Sequence, residues 1–183
     1  MALTVEDGTG LADSNTYVDE SQARAYAAAR GIELPAEDEE VEVLLIKAMD
    51  YLEAQRAKFQ GRKTWPRPDM DPAHPNAQAL QWPRCGVIID CSYSFPDNVI
   101  PEELKRAQMQ LAIEVFAGLE LMPSSDGQMV KKEKVDVLET EFMTPKDWGD
   151  TGIPGPTFPA VDALLAPLFN PCGGGFGLRT RRV

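Results

Sequence analysis

Two Trp-Pro-Arg tripeptides, Trp65-Pro66-Arg67 and Trp82-Pro83-Arg84, are the stretches of this chain whose residue types could act on a ligand. An indole beside a guanidinium suits a single-strand-binding groove, in which a base stacks on the ring and the cation holds phosphate. Trp65, Arg67, Trp82 and Arg84 are therefore the candidate nucleic-acid-binding residues. The competing reading is architectural. Each tryptophan would plug the core at a bend, because proline pushes the preceding residue into extended geometry. Each arginine would pair with one of the many carboxylates. The formal net charge of −11 favours this second reading, since an acidic body repels phosphate unless a local basic patch overrides the field.

Catalytic and metal chemistry find little support. The one histidine, His74, sits in the rigid loop Asp71-Pro72-Ala73-His74-Pro75, with only scattered carboxylates to complete a ligand set. Cys85, Cys91 and Cys172 are odd in number and lack Cys-x-x-Cys spacing, so neither a disulfide framework nor a zinc ribbon is indicated. No Gly-x-x-x-x-Gly-Lys-[Ser/Thr], Gly-x-Gly-x-x-Gly or Gly-x-Ser-x-Gly pattern occurs. Abundant carboxylates are no argument for acid–base work without a pocket to raise one pKa. The expectation is a protein that is not an enzyme and has no catalytic residues, cofactor or metal.

The elements that must position the tripeptides follow from periodicity. The 183 residues fit one domain with extensions. Residues 1–16 read as an N-terminal arm, and 17–122 as a helical core with a loop excursion over 61–100. A first helix is expected from about Val18 to Arg30, stopped by Gly31. A second starts at Pro35 and runs to about Phe59, with Val41, Leu44, Leu45, Ala48 and Leu52 on one stripe widened by Val43, Ile46 and Met49. Glu37, Asp38, Glu39, Glu40 and Glu42 open it, where acidic side chains complement the helix dipole. A third helix starts at Pro101, with Leu104, Ala107, Leu111, Val115 and Leu119 one per turn.

Residues 123–145 read as a β-like arm, and 146–171 as a linker with a short helix from Pro159 that ends before Pro167. Residues 172–183 form a basic tail carrying Phe176, Leu178, Arg179, Arg181 and Arg182. The expected class is mainly α: a small bundle of about four helices with a short β arm and long N- and C-terminal extensions. No apolar run approaches the roughly 20 residues of a membrane span. The first residues lack a signal-peptide pattern, so synthesis in the cytoplasm without membrane contact is expected.

Several stretches together resemble a family of tailed-bacteriophage proteins: Ala2 to Gly10, Ser14 to Val18, Leu45 to Leu52, Gln78 to Arg84, and Ile100-Pro101 with Ala107. That family carries the label DnaT-like single-stranded-DNA-binding protein, and it looks related to head-to-tail connector (adaptor) proteins. The resemblance implies a structural virion protein in the phage neck, a homo-oligomeric ring of 12 copies under the portal. It would bind portal protein through Phe176, Leu178, Arg179, Arg181 and Arg182, and join tail or neck proteins below. Glu37, Asp38, Glu39, Glu40 and Glu42 would be candidates for a lumen past which double-stranded DNA slides. The alternative is a DnaT-like single-stranded-DNA-binding module using Trp65, Arg67, Trp82 and Arg84.

Overall fold

The structure, a computed structural model, describes residues 2–65, 78–122, 130–134, 139–142 and 157–170. Among them are four helices and three two-stranded antiparallel ladders. The chain divides into two compact units, 1–121 with 158–183, and 122–157.

In the larger unit, helix α1 (Glu20–Ala28) starts at Asp19, whose Oδ1 accepts from Gln22 N at 2.8 Å. The Gln22 side chain in turn accepts from Asp19 N, closing a reciprocal cap. Helix α2 (Asp38–Ala54) buries Val41, Leu45, Ala48, Met49 and Leu52. Val43, expected to widen that stripe, is 52% exposed. At about 100° per residue Val43 lies on the side of the helix opposite Val41, Leu45, Ala48 and Leu52, so helical spacing itself turns it to solvent. The helix stops at Ala54 rather than near Phe59, and turns through Gln55–Lys58 replace the last expected turn.

Helix α3 (Glu102–Phe116) is capped by Pro101 and buries Leu104, Ala107, Leu111 and four further residues over more than half its girth. It packs against α1, α2 and α4 (Pro159–Phe169) and forms the axis of the core. Leu119, read as part of its stripe, lies beyond the helix and is half exposed. Helix α4 continues through Pro167, where a stop was expected. Proline removes one N–H from the ladder. That loss is offset by packing, because Val161, Leu165 and Leu168 are fully buried. Gln60 Nε2 also donates to Pro167 O at 2.9 Å, and Gln60 N donates to Leu168 O.

Residues 2–16, expected as an N-terminal arm, close on the chain's own body. Val5 bridges Thr16, and Asn15 N donates to Thr4 O. The cause is Glu6, whose side chain is buried. Its Oε1 accepts from Gly8 N and Gly10 N, each at 2.9 Å. Its Oε2 accepts from Leu11 N at 2.8 Å and Ser14 Oγ at 3.1 Å. A buried carboxylate persists only where donors surround it, and four donors converge here. The fully buried Gln108 then anchors the segment to α3, accepting from Tyr17 N and donating to Thr16 Oγ1 and Leu45 O.

The ladders are short. Strand β1 (Arg62–Lys63) pairs with β2 (Arg84–Cys85), and β3 (Ile88–Ile89) with β4 (Tyr93–Ser94). In the smaller unit β5 (Val130–Lys134) pairs with β6 (Glu139–Phe142), with an irregularity between Val130 and Lys132. That pair lies within the expected β-like arm. No helix of the described residues is long and apolar enough to cross a membrane.

Candidate nucleic-acid interface

The corner from Gln78 to Arg84 is framework. Trp82 is fully buried, with its ring edge-on to Phe59 and to Phe95, each at 6.0 Å. The Trp82–Pro83 peptide is cis, which turns the chain sharply behind the indole. Gln78 Nε2 spans the corner, donating to Leu80 O at 2.8 Å and Pro83 O at 2.9 Å. Arg84 is buried, and its guanidinium gathers the end of the α2 region. Its Nε donates to Gln60 O (2.7 Å), Nη2 to Gly61 O (2.8 Å), and Nη1 to Gln81 Oε1 (3.0 Å). Burial lowers the Arg84 pKa, but the donors are already committed to protein oxygens. Trp82 and Arg84 therefore offer a strand neither a ring face nor a free fork.

The corner is wired to the core through Tyr17 and Glu53. Trp82 N donates to Tyr17 Oη at 3.1 Å, and Tyr17 Oη donates to Glu53 Oε1 at 3.4 Å. Glu53 Oε1 also accepts from Gln81 N at 2.9 Å. Burial first, and then the Glu53 charge, push the Tyr17 phenol well above its ordinary 10.0. The folded chain thus keeps a proton that the unfolded chain releases above about pH 10, so this contribution to stability is complete below that pH and lost as pH rises. Tyr51 shifts in the same direction, through burial and then Asp162. Unfolding free energies from urea titrations at pH 8 to 11 should fall above pH 10, by at most about 1.4 kcal/mol per pH unit for Tyr17 and by less for the partly exposed Tyr51. In Tyr17→Phe the fall should be shallower, from a lower starting stability, because Trp82 N–H loses its acceptor.

Trp65 is half-buried, and a Cβ at Gly10 (φ 80°) would overlap its ring. Glycine is required there, so Trp65 lies across the N-terminal loop. Its backbone N donates to Gln78 Oε1 at 3.2 Å. Arg67 and His74 lie outside the described residues. So do Phe176, Leu178, Arg179, Arg181 and Arg182. Glu37 stands at the N-cap of α2, and Asp38, Glu39 and Glu40 occupy its exposed first turn, where Asp38 pairs with Arg24 at 2.7 Å, while Glu42 is half-buried on the same helix.

The structure brings together a set of cations that the sequence reasoning missed. Between Gln55 and Trp65 there are four cations, Arg56, Lys58, Arg62 and Lys63, and no carboxylate. Arg56, Lys58 and Arg62 are exposed, and among the described residues none of them pairs with a carboxylate. Lys63 donates to Ala79 O at 2.9 Å and Gln78 O at 3.2 Å. Its pKa is lowered, chiefly by burial, with Arg84 and Arg56 adding to the fall against the pull of Glu53. Those three cations are therefore electrostatic neighbours. Lys63 and Arg84 supply fixed charge, whereas among the described residues the Arg56 and Lys58 side chains have no acceptor and Arg62 commits only its Nε, to Cys85 Sγ at 3.4 Å. Partly exposed Phe169 lies under Lys58 Nζ, 5.9 Å from its centroid. A −11 chain with four cations in so short a run carried a readable signal, namely the local reversal of charge sign.

Elsewhere an open cleft of about 380 Å³ is lined by Asp7, Phe95, Asn98, Glu102, Glu103 and Lys105, among others. Asp7 accepts from Thr9 Oγ1 (2.6 Å) and Thr9 N (2.9 Å), and these bonds hold its carboxyl below the ordinary range. It therefore stays ionised at neutral pH, which is wrong for a general acid. Among the described residues no group of three His, Cys, Asp or Glu side chains could hold a metal ion. Cys91 is disulfide-bonded, while Cys85 is free.

No curated protein and no solved structure matches the chain. One family model does, over residues 1–183, and it is described as "Putative DnaT-like ssDNA binding protein". This match overturns the head-to-tail connector expected above as the function, because the description that covers the whole chain is that of the alternative. The chain belongs to this DnaT-like family.

Proposed function

We propose that this chain binds single-stranded DNA through the cation run that follows α2, with Arg56, Lys58 and Arg62 holding the phosphates. The observation that carries the reading is those three exposed cations, free of carboxylate partners among the described residues, on a chain of net charge −11. Isolated cations on so acidic a protein would be expected to pair with carboxylates. A run that does not leaves its donors for an external polyanion. Lys63 and Arg84 raise the local potential from behind. In this reading the chain is a mainly α module that does no chemistry on the strand. Its binding is local and works against the field of the whole molecule.

The test is fluorescence anisotropy of labelled oligothymidylate, titrated with the protein at several salt concentrations. Saturable binding that weakens with salt by a log–log slope of about −2 is expected, at about 0.7 per phosphate contact and three contacts. Flat anisotropy at low salt would sink the proposal.

A further inference from the structure

We propose that Tyr93 is the base-stacking platform of this interface, receiving an unpaired base while Arg62 and its neighbours hold the backbone; this rests on the strand-binding reading above. Tyr93 is 57% exposed, the most exposed large apolar side chain among the described residues. Scattered exposed apolar residues need no explanation. Three features set this one apart.

The first is rigidity. The β3–β4 hairpin that carries Tyr93 turns through Asp90 (φ 51°) and Cys91 (φ 62°), both non-glycine residues in the left-handed region. Two such residues in succession persist only where the surroundings hold them, and Cys91 is disulfide-bonded. Phe95 N donates to Val87 O at 2.9 Å, closing the base of the hairpin. The Tyr93 ring packs edge-on to Phe95 at 6.5 Å, and Phe95 packs edge-on to buried Trp82. A ring fixed in this way loses little side-chain entropy on binding.

The second is place. Tyr93 pairs with Ile89, and the backbone N of the adjoining Ile88 donates to Gln60 Oε1 at 3.3 Å. Gln60 lies between Lys58 and Arg62 in the run. Arg62 itself pairs with Cys85 in the strand that leads into the hairpin.

The third is chemistry. Ile89, directly opposite Tyr93 on the partner strand, shares the ring's face of the hairpin, whereas Ile88 points to the other face. An exposed ring on a hairpin tied to the cation run through Gln60 fits a ligand with a flat apolar face and an anionic backbone. Single-stranded DNA has both, whereas duplex DNA keeps its base faces covered by one another.

The test uses the full chain with two labelled strands, oligothymidylate and the matching abasic sugar–phosphate strand, read by anisotropy. Tyr93→Ala should weaken oligothymidylate binding by about tenfold or more and change abasic binding by less than about twofold. Tyr93→Phe should bind oligothymidylate as the parent does, since stacking needs the ring and not the hydroxyl. Unchanged oligothymidylate affinity in Tyr93→Ala would overturn the platform and leave the strand-binding reading standing. So would an equal loss on the abasic strand, which would mean the substitution had disturbed the hairpin. A parent protein that binds neither strand would overturn both.

Discussion

Replacing Arg56, Lys58 and Arg62 together by glutamine is expected to lower affinity for oligothymidylate by about two to three orders of magnitude at about 50 mM salt. The size follows from counterion release. Each phosphate contact on a single strand contributes about 0.7 to the slope of log affinity against log salt, so three contacts contribute about 2. Between about 1 M salt, where that contribution vanishes, and about 50 mM, concentration changes by about 20-fold, and 20 squared is about 400. The slope itself should fall by about 2, and that change is the more diagnostic one. Loss of affinity alone could come from damaged folding, which would leave the slope of the surviving fraction intact. All three side chains are exposed, so the thermal midpoint should barely move. Arg30→Gln is the control. That guanidinium sits over the Tyr26 ring at 3.3 Å at the far end of α1. It changes net charge by the same unit as each single replacement and should leave affinity within about twofold. An unaltered slope in the triple variant would remove the cation run from the interface.

Much of the framework was readable because it depends on short-range signals. Pro101 before Leu104 and Ala107 marks the start of α3, and Gly31 falls just past the end of α1. The alternation of Val41, Leu45, Ala48 and Leu52 fixes the buried face of α2. What periodicity could not supply was the identity of the neighbours. Val43 was misplaced for a simpler reason, since at about 100° per residue it falls opposite the buried stripe. Pro167 has a strong local preference to end a helix, and only the packing of Leu168 and the bonds from Gln60 override it. Glu6 reads as one of many acidic residues until the loop folds around it. The fully buried Gln108 likewise reads as a surface polar residue until its three partners are in place.

The two Trp-Pro-Arg tripeptides show the same limit at the candidate site. They are identical in sequence, yet Trp82 is enclosed while Trp65 is half exposed. The residues before them differ, Arg62-Lys63-Thr64 against Ala79-Leu80-Gln81, but only the folded neighbours decide which ring is enclosed. The cation run was missed for a related reason. Arg56 and Lys58 read as polar positions at the end of a long helix. Once α2 stops at Ala54, they stand on a turn beside β1, clear of the helix ladder. The redistribution of roles is therefore coherent: the aromatic that looked like a platform holds the core, and an exposed tyrosine on a hairpin takes its place.

That exchange of roles carries the second large effect, Trp82→Ala. The side chain is fully buried among Phe59, Phe95 and their neighbours, and truncating a buried tryptophan costs about 3–5 kcal/mol in lost transfer energy and residual cavity. Part of that cost is recovered, because the indole Nε1–H is buried with no hydrogen-bond partner among the described residues, and removing it relieves an unmet donor. The lower end, about 3 kcal/mol, is therefore expected. It is a large fraction of the roughly 5–15 kcal/mol that holds a domain folded. Trp82→Phe should restore much of it, since an aromatic in the slot keeps the edge-on contacts and adds no unmet donor. Strand affinity should follow a different rule. Measured at low temperature, where Trp82→Ala remains folded, and corrected for the folded fraction, it should fall by less than in Tyr93→Ala, because the indole reaches the platform only through Phe95. A Trp82→Ala protein that keeps its urea midpoint but loses oligothymidylate binding would reverse the assignment, returning the indole to the interface and removing it from the core.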